Sequence, residues 1–199
     1  MPNWCTNTVE ITGPIDDIKR FRRQANGHTQ SYNEQFIHDG NAWPIHDDIR
    51  LDSLVTTPPE LGDVVTFSFH SLYPVPEEFR CFPYDDTRAV ELGELVGVKR
   101  PYGGYQWENI HWGCKWGSCD SELVNEKDTY LHYEFNTPWG PAIDFFEKIS
   151  QDWPNLTFEL SYDEPGMGFR GGSIWEEGSL TTEYSHEYDC EEEQPLTEE

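Results

Sequence analysis

The sequence predicts an α+β fold, an antiparallel sheet with two helices on one of its faces, and three observations carry that prediction. The stretches WCTNTVEITGPIDDIKRFRRQA (4–25) and YLHYEFNTPWGPAIDFFEKISQ (130–151) follow one plan: an alternating strand, a Gly-Pro step and an amphipathic helix. Each is followed by a further alternating segment, DVVTFSFH (63–70) and LTFELSY (156–162). The composition supplies a core, because 15% of the 199 residues are aromatic and eight of those are Trp. Two βαβ units of this kind make a ferredoxin-like βαββαβ sandwich.

The first strand, 4–12, sends Cys5, Val9 and Ile11 to one face and Trp4, Thr6, Thr8 and Glu10 to the other. The first helix begins near Pro14, where proline has no useful N–H to lose, and turns Ile15, Ile18, Phe21 and Ala25 inward. Asp16 and Asp17 at its start and Arg22 and Arg23 near its end suit the helix dipole. The second strand is expected near 63–70 with Val65, Phe67 and Phe69 inward, and the third near 129–136 with Leu131, Tyr133 and Phe135 inward. The second helix starts at Pro141 and carries Ile143, Phe146 and Ile149; the fourth strand, 156–163, buries Leu156, Phe158, Leu160 and Tyr162. An extra C-terminal strand is expected around Gly172 to Glu177. These elements make one domain over 1–180, with insertions at about 26–60 and 71–128, the latter holding a short helix near Thr87 to Val96. The Glu-rich 181–199 reads as an acidic, flexible tail.

The segments MPNWCTNTVEITG, FSFHSLYPVPEEF, NIHWGCKWGSCD, NTPWGP and LTFELSYDEPGMGFRGG, in this order over residues 1–178, resemble the YubB-like (Api92-like) family of ferredoxin-fold proteins carried by phages and conjugative plasmids. The resemblance implies the same fold and a setting in host takeover or counter-defence. It carries no catalytic residue over to this chain. The 26–60 insertion and the acidic tail are less typical of the family.

Charge restricts the partners. The net charge is −25, and residues 121–199 hold three Lys/Arg against 20 Asp/Glu. Such a surface repels phosphate backbones and anionic lipid and attracts basic partners, less so as salt rises. The mean hydropathy of −0.75 and the absence of a long apolar run argue against a membrane span, and no basic region followed by an apolar run opens the chain. Five scattered cysteines form no even framework and fit a reducing compartment, so a host cytosolic location is expected.

The short motifs favour structural readings. GMGFRG (166–171) has glycine spacing that suits a dinucleotide site, but a strand-like GSIWEEG follows where a helix is needed, so a glycine-rich turn is expected. His111, Cys114 and Cys119 lack a convincing fourth ligand, so neither a metal nor any other cofactor is expected; His186 and Cys190 sit in the acidic tail. Trp107, Trp112 and Trp116 are expected to pack the insertion onto the sheet. No nucleophile elbow, metalloprotease helix or P-loop is present, and pairs such as Asp144 with Glu147 or Asp163 with Glu164 arise by chance in so acidic a chain. The outward positions Tyr130 and His132 could stack bases, but Glu10, Glu134, Glu159 and Asp163 beside them would repel RNA. The basic cluster Lys19, Arg20, Arg22 and Arg23 suits a solvated helix face.

The functional expectation is therefore a non-enzymatic inhibitor that covers a basic, nucleic-acid-binding surface of a host protein. Its contributors are Glu122 and Glu126 before the third strand, Asp144 and Glu147 on the second helix, Glu159 and Asp163 on the fourth strand, and Glu176 and Glu177. Alternate strand residues repeat every ~6.8 Å, about twice the ~3.4 Å phosphate spacing of one DNA strand, so such carboxylates could imitate every second phosphate. The alternative is a nucleotide or small-molecule sponge in the 99–119 insertion, walled by Tyr102, Tyr105, Trp107 and Trp112 with Lys99, Arg100, Lys115 and Arg170 as cations.

Overall fold

The computed structural model describes residues 2–32, 58–80 and 103–188. Strand β1 (Trp4–Thr12) leads into helix α1 (Ile15–Ala25). The chain then forms β2 (Gly27–His28), β3 (Val64–Val65), short helices α2 (Phe69–Leu72) and α3 (Glu77–Arg80), and α4 (Gly104–His111). Strands β4 (Cys119–Lys127) and β5 (Tyr130–Pro138), helix α5 (Ile143–Asp152), and strands β6 (Thr157–Glu164), β7 (Phe169–Glu176) and β8 (Ser179–Glu187) complete it. The main sheet is antiparallel throughout and runs β4-β5-β1-β6-β7-β8, while β2 and β3 pair separately. The connection from β1 through α1 to β4 passes over β5, and that from β5 through α5 to β6 passes over β1. These two interleaved βαβ units make the ferredoxin-like sandwich.

The second strand of that sandwich is β4, not the segment 63–70. Only Val64–Val65 of the expected strand is extended, and it lies outside the main sheet. Ser68 ends the extended run, because its hydroxyl accepts from the Ser71 N–H at 3.0 Å and caps α2. Phe67 through His70 are then buried in succession, which an alternating strand on a one-sided sheet would not allow. The true second strand sits in the expected 71–128 insertion and is an exposed edge with register shifts at Cys119/Glu122 and Leu123/Asn125. Bulges and exposure erase the hydrophobic alternation by which a strand is read.

Both long helices cover the face that carries Cys5, Val9, Ile11, Leu131, Tyr133, Phe135, Phe158 and Leu160, all buried. Phe21 of α1 meets Phe158 edge-on at 5.6 Å, and Phe146 of α5 stacks on Trp175 at 5.6 Å. Ile15, expected inward, is 37% exposed, and Pro14 is the N-cap of α1, one position ahead of its first turn. The insertion belongs to this core: Phe67 stacks on Tyr133 at 4.8 Å and Phe69 on Phe145 at 3.7 Å. The expected extra strand is β7, but a further strand follows it. Thr182 to Glu187, expected in the tail, extend β8, which pairs along β7 with both faces exposed. The helix expected near Thr87 to Val96 lies outside the described residues.

Candidate functional site

Among the described residues no helix covers the other face of the sheet, and cross-strand register assigns its residues. One row runs Glu122, Glu134, Thr8, Ser161, Gly172, Tyr184, and the next Asn125, His132, Glu10, Glu159, Ile174, Thr182. A third runs Cys119, Asn136, Thr6, Asp163, Arg170, His186. Glu10, Glu122, Glu134, Glu159 and Asp163 thus share one surface and are all exposed. Glu122 faces Glu134 directly across β4–β5, and Glu10 faces Glu159 across β1–β6. Like charges placed directly opposite are destabilising. Burial and the neighbouring Glu10 carboxylate, to which the Tyr130 hydroxyl is hydrogen-bonded, raise the Tyr130 pKa. The Tyr188 hydroxyl donates to Asp163, and the Arg170 guanidinium lies 5.5 Å from the Tyr188 ring.

The eight expected contributors divide among four places. Glu122, Glu159, Asp163 and Glu176 belong to the open face. Glu126 has the parity of the covered face and accepts from Arg22 of α1 at 2.8 Å, so its charge is already paired. Asp144 and Glu147 are exposed on α5, on the opposite side of the sheet, and Glu177 sits in the β7–β8 turn at φ 52°. One partner surface cannot meet all eight. Glu10 and Glu134, read from alternation only as a reason against RNA, complete the open-face group.

Trp107 and Trp112 cannot wall an open pocket. They are 4% and 0% exposed, with Trp107 against Tyr73 at 5.2 Å and Trp112 against Phe69 at 5.7 Å. Tyr102, Lys99 and Arg100 lie outside the described residues. Among the described residues no three His, Cys, Asp or Glu side chains gather as metal ligands would. His111 shares a 3.0 Å hydrogen bond with the Tyr73 hydroxyl, and burial holds its pKa down. Burial raises the thiol pKa of Cys114, and that of Cys119 to about 11. The glycine motif forms the β6–β7 turn, with Gly168 at φ 75° and no helix after it.

Trp116 behaves differently from its two neighbours in the motif. It lies at the surface with ring centroids 6.3 Å from Trp4 and 5.8 Å from Trp139. Its backbone N–H donates at 2.8 Å to Glu108, which is fully buried on α4. Glu108 also accepts from Tyr32 at 2.6 Å and Gln30 at 2.7 Å. Burial raises the Glu108 pKa to about 7 despite these donors, which hold it down together with Lys115. A buried carboxylate thus fastens the loop that presents Trp116.

Residues 112–199 match the family model of the ferredoxin-like domain in Api92-like protein. This stretch is similar to the ferredoxin-like domain of Api92-like proteins. The Api92-like stretch supplies β4 to β8 and α5, while β1 and α1, from outside it, complete the sandwich. A solved structure, the protein Api92 from Yersinia pseudotuberculosis, is similar over 96% of this chain and 99% of that one, with a TM-score of 0.57 and 11% identity. At that identity the likeness is one of fold. No curated protein matches the chain. The Api92-like stretch carries Trp116, Trp139, Glu122, Glu134, Glu159 and Asp163, whereas Trp4 and Glu10 come from β1.

Proposed function

We propose that this chain is a non-enzymatic binding protein of a phage or plasmid that docks its open sheet face on a basic, nucleic-acid-binding surface of a host protein in the host cytosol, and so inhibits it. One observation carries the reading: Glu10–Glu159 and Glu122–Glu134 are like-charge pairs directly opposite each other on a sheet face that no described helix covers. Each pair costs the folded chain stability that a cationic partner would return. DNA and RNA bring the wrong charge to such a face. Along β6 the carboxylates Glu159 and Asp163 are four residues apart, about 13 Å, so the resemblance to a nucleic acid is one of charge density and not of a phosphate ladder.

Host lysate passed over the immobilised chain, with and without Glu10, Glu122, Glu134, Glu159 and Asp163 changed to Lys, tests this. The wild-type chain should retain basic nucleic-acid-binding proteins that salt or duplex DNA releases, and the reversed chain should not. Retention of a neutral or acidic partner, or retention indifferent to the reversal, overturns the proposal.

A further inference from the structure

Trp4, Trp116 and Trp139 leave 42%, 36% and 46% of their surface exposed at one end of the sheet. Four non-glycine residues among those described have positive φ, and two of them are rings of this patch, Trp116 at 68° and Trp139 at 66°, while a third, Asp120 at 52°, follows Trp116 by four residues. A left-handed backbone is costly for a bulky side chain, and rings that stay exposed recover little of that cost by burial. The patch is continuous with the acidic face, because Trp4 points to the same side as Thr6, Thr8 and Glu10. Asn136, opposite Thr6, donates to Asp120 at 3.5 Å. The rings already attract a cation: Lys115 Nζ lies 5.9 Å from the Trp139 centroid and 5.7 Å from that of Tyr105.

We infer that the Trp4–Trp116–Trp139 patch anchors the docking face by receiving an arginine side chain of the basic partner. This rests on the docking role of the acidic face. A guanidinium is planar and weakly hydrated, so it can stack on an indole while its N–H edge meets a carboxylate such as Asp120. A nucleobase would carry its phosphate against five carboxylates, and a purely apolar segment would leave them without counter-charge.

Two fluorescein-labelled peptides of equal length and charge, one alternating Arg and Ser and the other Lys and Ser, are titrated with the full chain at low salt. The Arg peptide should bind about fivefold more tightly than the Lys peptide. W116G and W139G suit positive φ and should keep the fold while bringing both peptides to the weaker affinity. W4T, on a strand surface, should do the same without touching the strained positions. Equal affinity for the two peptides in the wild-type chain, or a preference that survives these variants, overturns the anchor and leaves the acidic face standing. Binding of neither peptide overturns both. Quenching of the patch by a single-stranded oligonucleotide overturns the choice of arginine.

Discussion

Glu108 and His70 are buried ionisable groups whose pH responses oppose each other. Burial raises Glu108 from 4.5 to about 7, and burial followed by the Arg80 charge lowers His70 from 6.5 to about 4. A carboxyl that is raised in the folded state stabilises fully below pH 4.5, and this contribution fades as pH climbs through about 7. A histidine that is depressed stabilises fully above pH 6.5, and this is lost as pH falls through about 4. The wild-type profile should therefore be shallow between these limits. E108Q should unmask the His70 response, gaining on the wild type by on the order of 3 kcal/mol as pH rises from 4.5 to 7. Urea unfolding across that range checks it, and a difference that stays constant with pH would contradict the assignment. Neither group was identifiable in the sequence, where Glu108 is one of 38 acids. Its raised pKa comes from burial, and its hydrogen bonds come from Tyr32 and Gln30, more than seventy residues away, and from the nearby Trp116 N–H.

Among the elements, the insertion and the last strand depart most from local pattern. Phe67 touches Phe21, Tyr133, Phe135, Phe145 and Phe146, so it joins α1, the sheet and α5. F67A should cost about 3–5 kcal/mol in chemical denaturation, as a core deletion does. A cost below ~1 kcal/mol would mean the segment is an ornament on a complete domain. Strand β8 is held by backbone pairing that needs Gly171. A Cβ there would stand 2.3 Å from the Tyr184 carbonyl and 2.5 Å from the Tyr162 hydroxyl. G171A should therefore loosen β8, seen as faster hydrogen exchange across Ser179–Glu187 while β1 and β5 keep their protection. The strand was hard to read from sequence because all nine of its residues are exposed, so the polar run TTEYSHE carries no burial pattern.

For the molecule as a whole, stability and binding should respond to salt in opposite directions. At a net charge of −25 the folded chain repels itself, most sharply at the two facing glutamate pairs. Added salt screens this repulsion and should raise the melting temperature, while weakening capture of a basic partner. E159K removes one facing pair and should stabilise by about 0.5 kcal/mol. A melting temperature that falls with moderate salt would show that attraction, not repulsion, dominates this surface.

The sequence by itself determined the inward faces of β1, β5 and β6, the presence of a helix just after each Gly-Pro step and the acidic character, although Pro14 caps α1 and Pro141 precedes the Ala142 cap of α5. Each of these is a local property, written in period-2 or period-3.6 burial or in composition. Only the tertiary structure decided that Cys119–Lys127 and not 63–70 is the second strand of the sandwich, that Glu10 meets Glu159, and that three tryptophans share a patch. They depend on pairing and register between segments, whether neighbouring, as in β4 with β5, or more than a hundred residues apart, as in β1 with β5 and β6. A bulged, exposed edge strand has no buried stripe to announce it, and a facing carboxylate pair exists only once register is set.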